Sequence, residues 1–147
     1  MLPRACGKRI SMKRTILFLV LLAVFSGCSV SSPTSTVKKY ISSAEKGDVN
    51  TMVSLYSSKE IQKTGMEKLR SGDQLFSDLV KKTIARGEIL QMTDIKETIT
   101  GDTARVSFVY QDPKNVNSLG MGFDLSKENG SWKIDEIGKR TPADSEK

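Results

Sequence analysis

The 147-residue chain contains no histidine, which excludes Ser-His-Asp and Cys-His catalysis, imidazole metal sites and the usual proton switch near neutral pH. Catalysis of any kind would have to rest on carboxylates, Tyr, Lys or Ser. No catalytic set, metal-ligand set or cofactor motif is read among them. Acidic side chains are missing from the first 27 residues, where Arg4, Lys8, Arg9, Lys13 and Arg14 stand unopposed. The formal charge of +6 and pI near 9.4 therefore belong mostly to the N-terminus. Positions 28 to 147 carry 18 basic and 17 acidic groups, a balance that gives no support to a nucleic-acid partner. Long apolar runs are missing as well. The ten residues Ile16 to Phe25 would span about 15 Å as a helix, roughly half of a 30 Å hydrocarbon core and too short for a membrane span.

What is present at the N-terminus is an address. The basic stretch ending at Lys13-Arg14, the apolar run, and then Ser26, Gly27 and Cys28 follow the layout of a secretory signal, with Met12 as a second start that leaves the mature chain unchanged. Val24-Phe25-Ser26-Gly27-Cys28 resembles the bacterial lipobox, with Phe25 where Leu is commoner. The resemblance implies cleavage before Cys28, a diacylglyceryl group on its thiol and further acylation of the new amino terminus, giving an anchor of several chains in the bilayer. Cys6 lies in the segment to be removed, so the mature chain has one cysteine and no internal disulfide. The expected location is the cell envelope. In a Gram-negative cell Ser29, in place of Asp, resembles the sorting pattern for the periplasmic face of the outer membrane. In a Gram-positive cell the site would be the outer face of the cell membrane.

The rest of the chain divides by hydrophobic period. Residues 28 to 35 read as the lipidated cysteine and a polar tether, 36 to 138 as one domain, and 139 to 147 as a flexible tail. Val37, Tyr40, Ile41 and Ala44 have helical spacing, with Pro33 or Ser35 able to start the helix and Gly47 to end it. Asp48 stands as an N-cap before Val49, Met52, Val53 and Tyr56. A third helix, kinked near Gly72, is expected to bury Leu75, Phe76, Leu79, Val80 and Ile84. From Glu88 the period falls to two, and residues 89–99, 104–110, 119–125 and 132–137 read as strands. Gly101-Asp102 and Asn129-Gly130 are hairpin turns. Ala104, Val106, Phe108 and Tyr110 alternate onto one face, as do Leu119, Met121, Phe123 and Leu125, so the sheet needs the helices as a cover. The expected class is α+β, with N-terminal helices packed on an antiparallel four-stranded sheet.

Glu45-Lys46-Gly47-Asp48 after the first helix, Asp102-Thr103-Ala104-Arg105-Val106 in a strand and Asn129-Gly130-Ser131-Trp132-Lys133-Ile134 in the last hairpin resemble the nuclear transport factor 2-like (cystatin-like) superfamily. The likeness is to its small uncharacterised bacterial lipoproteins, sometimes labelled lumazine-binding-like. It implies a curved sheet wrapped on helices as a cone, often with a pocket, and frequent dimers through the sheet. It implies no common activity.

Tyr56, Phe76, Phe108, Tyr110, Met121 and Trp132 are the residues expected to line such a pocket or to fill the core in its place. Since the superfamily's isomerases and dehydratases place Asp or Tyr inside the cone, the resemblance singles out Tyr110 with Asp94 or Asp135. Both carboxylates sit among polar strand neighbours, which argues against a base with a shifted pKa. The basic pairs Lys38-Lys39, Lys81-Lys82 and Lys139-Arg140 read as solvated helix faces or as contacts to anionic lipid. Gly120 and Gly122 leave the opposite sheet face bare. The reading is a lipid-anchored envelope lipoprotein, not an enzyme and without a cofactor, whose domain is a module for a small apolar ligand or an envelope protein, with a homodimer through the sheet as a further partner. The rival readings are an isomerase- or dehydratase-type pocket enzyme and a structural or accessory lipoprotein.

Overall fold

The computed structural model describes residues 31–88, 90–111 and 118–139. The signal segment, Cys28, the connection at 112–117 and the tail after Lys139 lie outside the described residues. Four helices come first: α1 (Pro33–Lys46), α2 (Val49–Ser54), α3 (Ser58–Thr64) and α4 (Met66–Ala85). Four strands follow, β1 (Gln91–Thr100), β2 (Thr103–Gln111), β3 (Ser118–Glu128) and β4 (Ser131–Lys139), as an antiparallel meander in the order β1-β2-β3-β4. The class is the α+β arrangement expected from the change of period.

Each boundary has a local cause. Ser32 caps α1 by accepting from the Ser35 N–H at 3.1 Å, and Pro33 occupies the first turn, where its missing N–H costs nothing. The helix thus starts inside the segment expected as tether. Gly47 ends it in the left-handed region (φ 79°), donating to the Ala44 carbonyl while Asp48 donates to that of Ser43, a Schellman-type closure. Asp48 then caps α2 through the Thr51 N–H at 3.0 Å, and this bond and the one from the Thr51 hydroxyl hold its carboxyl below the usual range. The expected kink at Gly72 is not where the chain breaks. The break falls at Gly65 (φ 87°), and α4 runs through Gly72 for 20 residues.

The apolar faces of β2 and β3 meet α1: Val37, Tyr40, Ile41 and Ala44 pack with Val106, Phe108, Phe123, Leu125 and Ile134 in one buried cluster. Register shifts between Thr93 and Lys96 in β1, and in β4 at Asp135 opposite Asp124/Leu125, are bulges of the kind that bend a sheet around its cover. The segment Leu55–Ser57 pairs with the edge of β4: Ser57 donates to the Ile134 carbonyl and Ile134 to that of Leu55, both at 2.8 Å. This short parallel contact fixes Tyr56 beneath the sheet.

The face that α4 buries differs from the expected one. Leu69, Asp73, Ser77, Val80 and Thr83 point inward, while Leu75 is 73% and Leu79 59% exposed. The inward residues repeat at i, i+4, i+8, i+11 and i+14, a helical stripe like the expected one but rotated. Small side chains explain it. Ser77 is fully buried and its hydroxyl donates to the Ala44 carbonyl of α1 at 2.7 Å, a close approach that a leucine at this position would prevent.

Candidate ligand cleft

Three side chains from separate elements converge between α1, α4 and the sheet. Tyr40 projects from the second turn of α1, Tyr56 from the segment docked on β4, and Asp73 from the middle of α4. The Tyr40 hydroxyl donates to Asp73 Oδ1 at 2.6 Å and the Tyr56 hydroxyl to the same oxygen at 2.9 Å. Asp73 is 2% exposed, and its Oδ2 has no hydrogen-bond partner among the described residues. Burial pushes its carboxyl above the ordinary range, while the two tyrosyl hydrogen bonds pull the other way. Burial also pushes both tyrosines far above their ordinary value, so that they stay protonated donors.

The cluster lies on a cleft of about 300 Å³, at the small end of the range for ligand pockets. Phe76, Leu69, Met121 and Ile137 supply apolar wall, and Lys68 is the one charged lining residue besides Asp73. The aromatic rings are packed against one another: Tyr40 stacks on Phe76 at 6.1 Å and meets Tyr56 edge-on at 6.1 Å. They form a rigid wall beside the carboxyl.

Of the residues expected at a pocket, Tyr56, Phe76 and Met121 are brought together here. Phe108 is fully buried and stacked on Phe123 at 5.8 Å, as core. Tyr110 donates to Glu45 of α1 at 3.1 Å, so the carboxylate beside it is neither Asp94 nor Asp135. Asp94 sits exposed at the β1 bulge, and Asp135 accepts from Ser126 at 3.0 Å. Trp132 does not line this cleft: it borders a separate recess with Leu55 and Lys133, with Lys127 Nζ 5.9 Å from its ring. Tyr110 and Phe76 also line a second groove of about 270 Å³, with the exposed Leu79 and Leu119. Asp73 and Tyr40 were not among the expected site residues. Tyr40 reads as one more apolar position of α1, and the only trace of Asp73 is its i, i+4 spacing from Leu69 and Ser77.

Residues 12–29 match the family model for the prokaryotic membrane lipoprotein lipid attachment site. No curated protein matches the chain. Several solved structures share its fold. A candidate transpeptidase from Campylobacter jejuni, described as nuclear transport factor 2-like, is 16% identical, with a TM-score of 0.52 over 70% of this chain and 97% of that one. A protein of unknown function with a cystatin-like fold from Nostoc punctiforme is 19% identical, with a TM-score of 0.51 over 75% and 91%. A candidate ketosteroid isomerase from Shewanella frigidimarina is 20% identical, with a TM-score of 0.52 over 74% and 95%. At these identities the likeness is one of fold. The chain thus joins a prokaryotic lipoprotein attachment segment to a domain of the cystatin-like, nuclear transport factor 2-like fold.

Proposed function

We propose that the protein is an envelope lipoprotein, acylated at Cys28, whose domain binds a small, largely apolar ligand in the Tyr40–Tyr56–Asp73 cleft without transforming it. The observation that carries this reading is the buried Asp73 Oδ2, unpartnered beside an apolar cleft. An unpaired buried carboxyl oxygen costs stability unless something completes its hydrogen bonding, and one polar atom on an apolar ligand would do so. The same geometry supports binding without transformation. Both tyrosyl hydroxyls donate to one oxygen and are held far from titration near neutral pH, so no acid and base are set on opposite sides of a bound molecule.

Native mass spectrometry of the full-length protein, extracted in mild detergent, tests this reading. The expected spectrum shows a small mass that is lost on denaturation and is absent from Asp73→Leu. A spectrum without a bound small molecule in either protein would count against the cleft. A second reading, docking of an envelope protein, is favoured by the groove bounded by Leu79 and Leu119, since large exposed leucines on one patch mark interaction surfaces.

A further inference from the structure

The start of α1 sets where the domain stands. The attachment match ends at residue 29 and contains a single cysteine, Cys28. Ser32 is already fixed as the helix cap, and Ser31 lines a shallow recess of about 220 Å³ with Lys39, Trp132 and Lys133. Only Ser29 and Val30 separate Cys28 from Ser31, a reach of at most about 11 Å even when fully extended. The headgroup layer of one leaflet is itself about 5–8 Å deep. An acylated Cys28 therefore holds this end of the domain at the lipid headgroups.

The charges at that end fit such a neighbour. Lys38 and Lys39 are exposed in the second turn of α1, and Lys127 is exposed on β3 beside Trp132. Lys133 stands at the same recess, its Nζ donating to the Ser54 carbonyl at 2.8 Å. Two nearby carboxylates are held in place by the fold and keep their charge: Glu97 accepts from the Thr34 N–H at 2.8 Å and Glu128 from the Ser58 N–H at 2.9 Å. Further acids nearby are Asp102, exposed in the β1–β2 turn, Asp48, within electrostatic reach of Lys39, and Asp135, bonded to Ser126 opposite Lys133. Lysines within a Debye length of an anionic leaflet are attracted to it.

We infer that the end of the domain formed by the N-terminus of α1 and the β3–β4 hairpin docks on anionic phospholipid headgroups through Lys38, Lys39 and Lys127. The opposite end, where Ser77 meets Ala44 and Tyr110 meets Glu45, stands farther out by the length of α1, about 21 Å. The inference rests on acylation of Cys28 and is independent of what the cleft binds.

The test uses the full-length lipoprotein in bilayer nanodiscs, with a fluorophore on Ser35→Cys or Lys82→Cys and a quencher on the lipid headgroup. Position 35 is expected to be quenched at least about threefold more than position 82, since Ser35 is in the first turn of α1 and Lys82 is on α4 next to Lys81, whose side chain lies against Gly47 at the far end of α1. A twelve-residue serine-rich insertion after Val30 separates docking from mere tethering. With it, quenching at position 35 should persist in bilayers containing phosphatidylglycerol and fall in pure phosphatidylcholine, and Lys38→Glu/Lys39→Glu should abolish the difference. Equal quenching at both positions, or loss of quenching in the anionic bilayer once the spacer is present, would overturn the inference. Intact mass separates the premises: a protein without acyl mass on Cys28 overturns the anchor and the docking together, whereas acylated protein with position 35 unquenched overturns the docking alone.

Discussion

Asp73 is a single carboxyl on which burial and hydrogen bonding act in opposite directions. Burial disfavours its charged form, and the protons from Tyr40 and Tyr56 favour it, with burial the larger effect. Its pKa is therefore higher in the folded chain than in the unfolded one, where the ordinary value is 3.8. Between those two values the folded state binds more protons, so the contribution of Asp73 to stability is present below 3.8 and is lost as the pH rises through the folded value. Urea unfolding between pH 3 and 8 should show the wild type losing stability relative to Asp73→Asn across that window. A difference between the two proteins that stays flat with pH would mean that the carboxyl is not shifted. Tyr40→Phe removes the shorter of the two bonds to Oδ1 and should cost about 1–2 kcal/mol in the same assay while moving the Asp73 window to higher pH. None of this was legible in the sequence, because the partners of Asp73 lie 33 and 17 residues away and meet it only through tertiary packing.

At the scale of the element, the sequence was most legible where a signal is local. Pro33 and Gly47 bound α1, Asp48 caps α2, the alternation from Ala104 to Tyr110 makes β2, and Asn129-Gly130 turns β3 into β4. It was least legible in α4, where two faces compete. One carries Leu75, Leu79 and Ile84, and the other carries Asp73, Ser77 and Thr83 with Leu69 and Val80. Hydrophobicity favours the first face. The second wins because Asp73 Oδ1 and the Ser77 hydroxyl find partners on the tyrosines and on α1, and because its small side chains allow α1 and α4 to approach closely. The consequence inverts the usual expectation for substitutions. Leu79→Ser, on an exposed face, should change stability by less than about 0.5 kcal/mol. Ser77→Leu, which adds hydrophobicity, should cost about 1–3 kcal/mol by forcing the helices apart and removing the hydroxyl bond that ties α4 to the Ala44 carbonyl. Thermal denaturation of the two variants orders them directly. The opposite order would mean that α4 sits with its leucines inward.

For the whole molecule, the two ends of α1 carry different surfaces. The N-terminal end bears hydroxyls and lysines within a few residues of the attachment site, and the C-terminal end bears the groove in which Leu79 and Leu119 are exposed beside Phe76 and Tyr110. Leu119, expected in the core from its alternation, is 46% exposed: it pairs with Tyr110 near the start of β3 and lines the groove with Leu79 of α4. If the domain docks by its other end, as inferred above, this patch faces away from the bilayer, where exposed leucines favour association with another surface. Replacing both leucines with lysine tests whether the patch is adhesive. The wild type in micelles should bind a hydrophobic dye such as anilinonaphthalene sulfonate in excess of the micelles alone at neutral pH, without loss of tertiary circular dichroism. Leu79→Lys/Leu119→Lys should lose most of that excess and leave the thermal midpoint nearly unchanged, because neither side chain fills the core. Undiminished dye binding in the double variant would move the adhesive surface elsewhere, and a collapse of the midpoint would show that the leucines are packing residues after all.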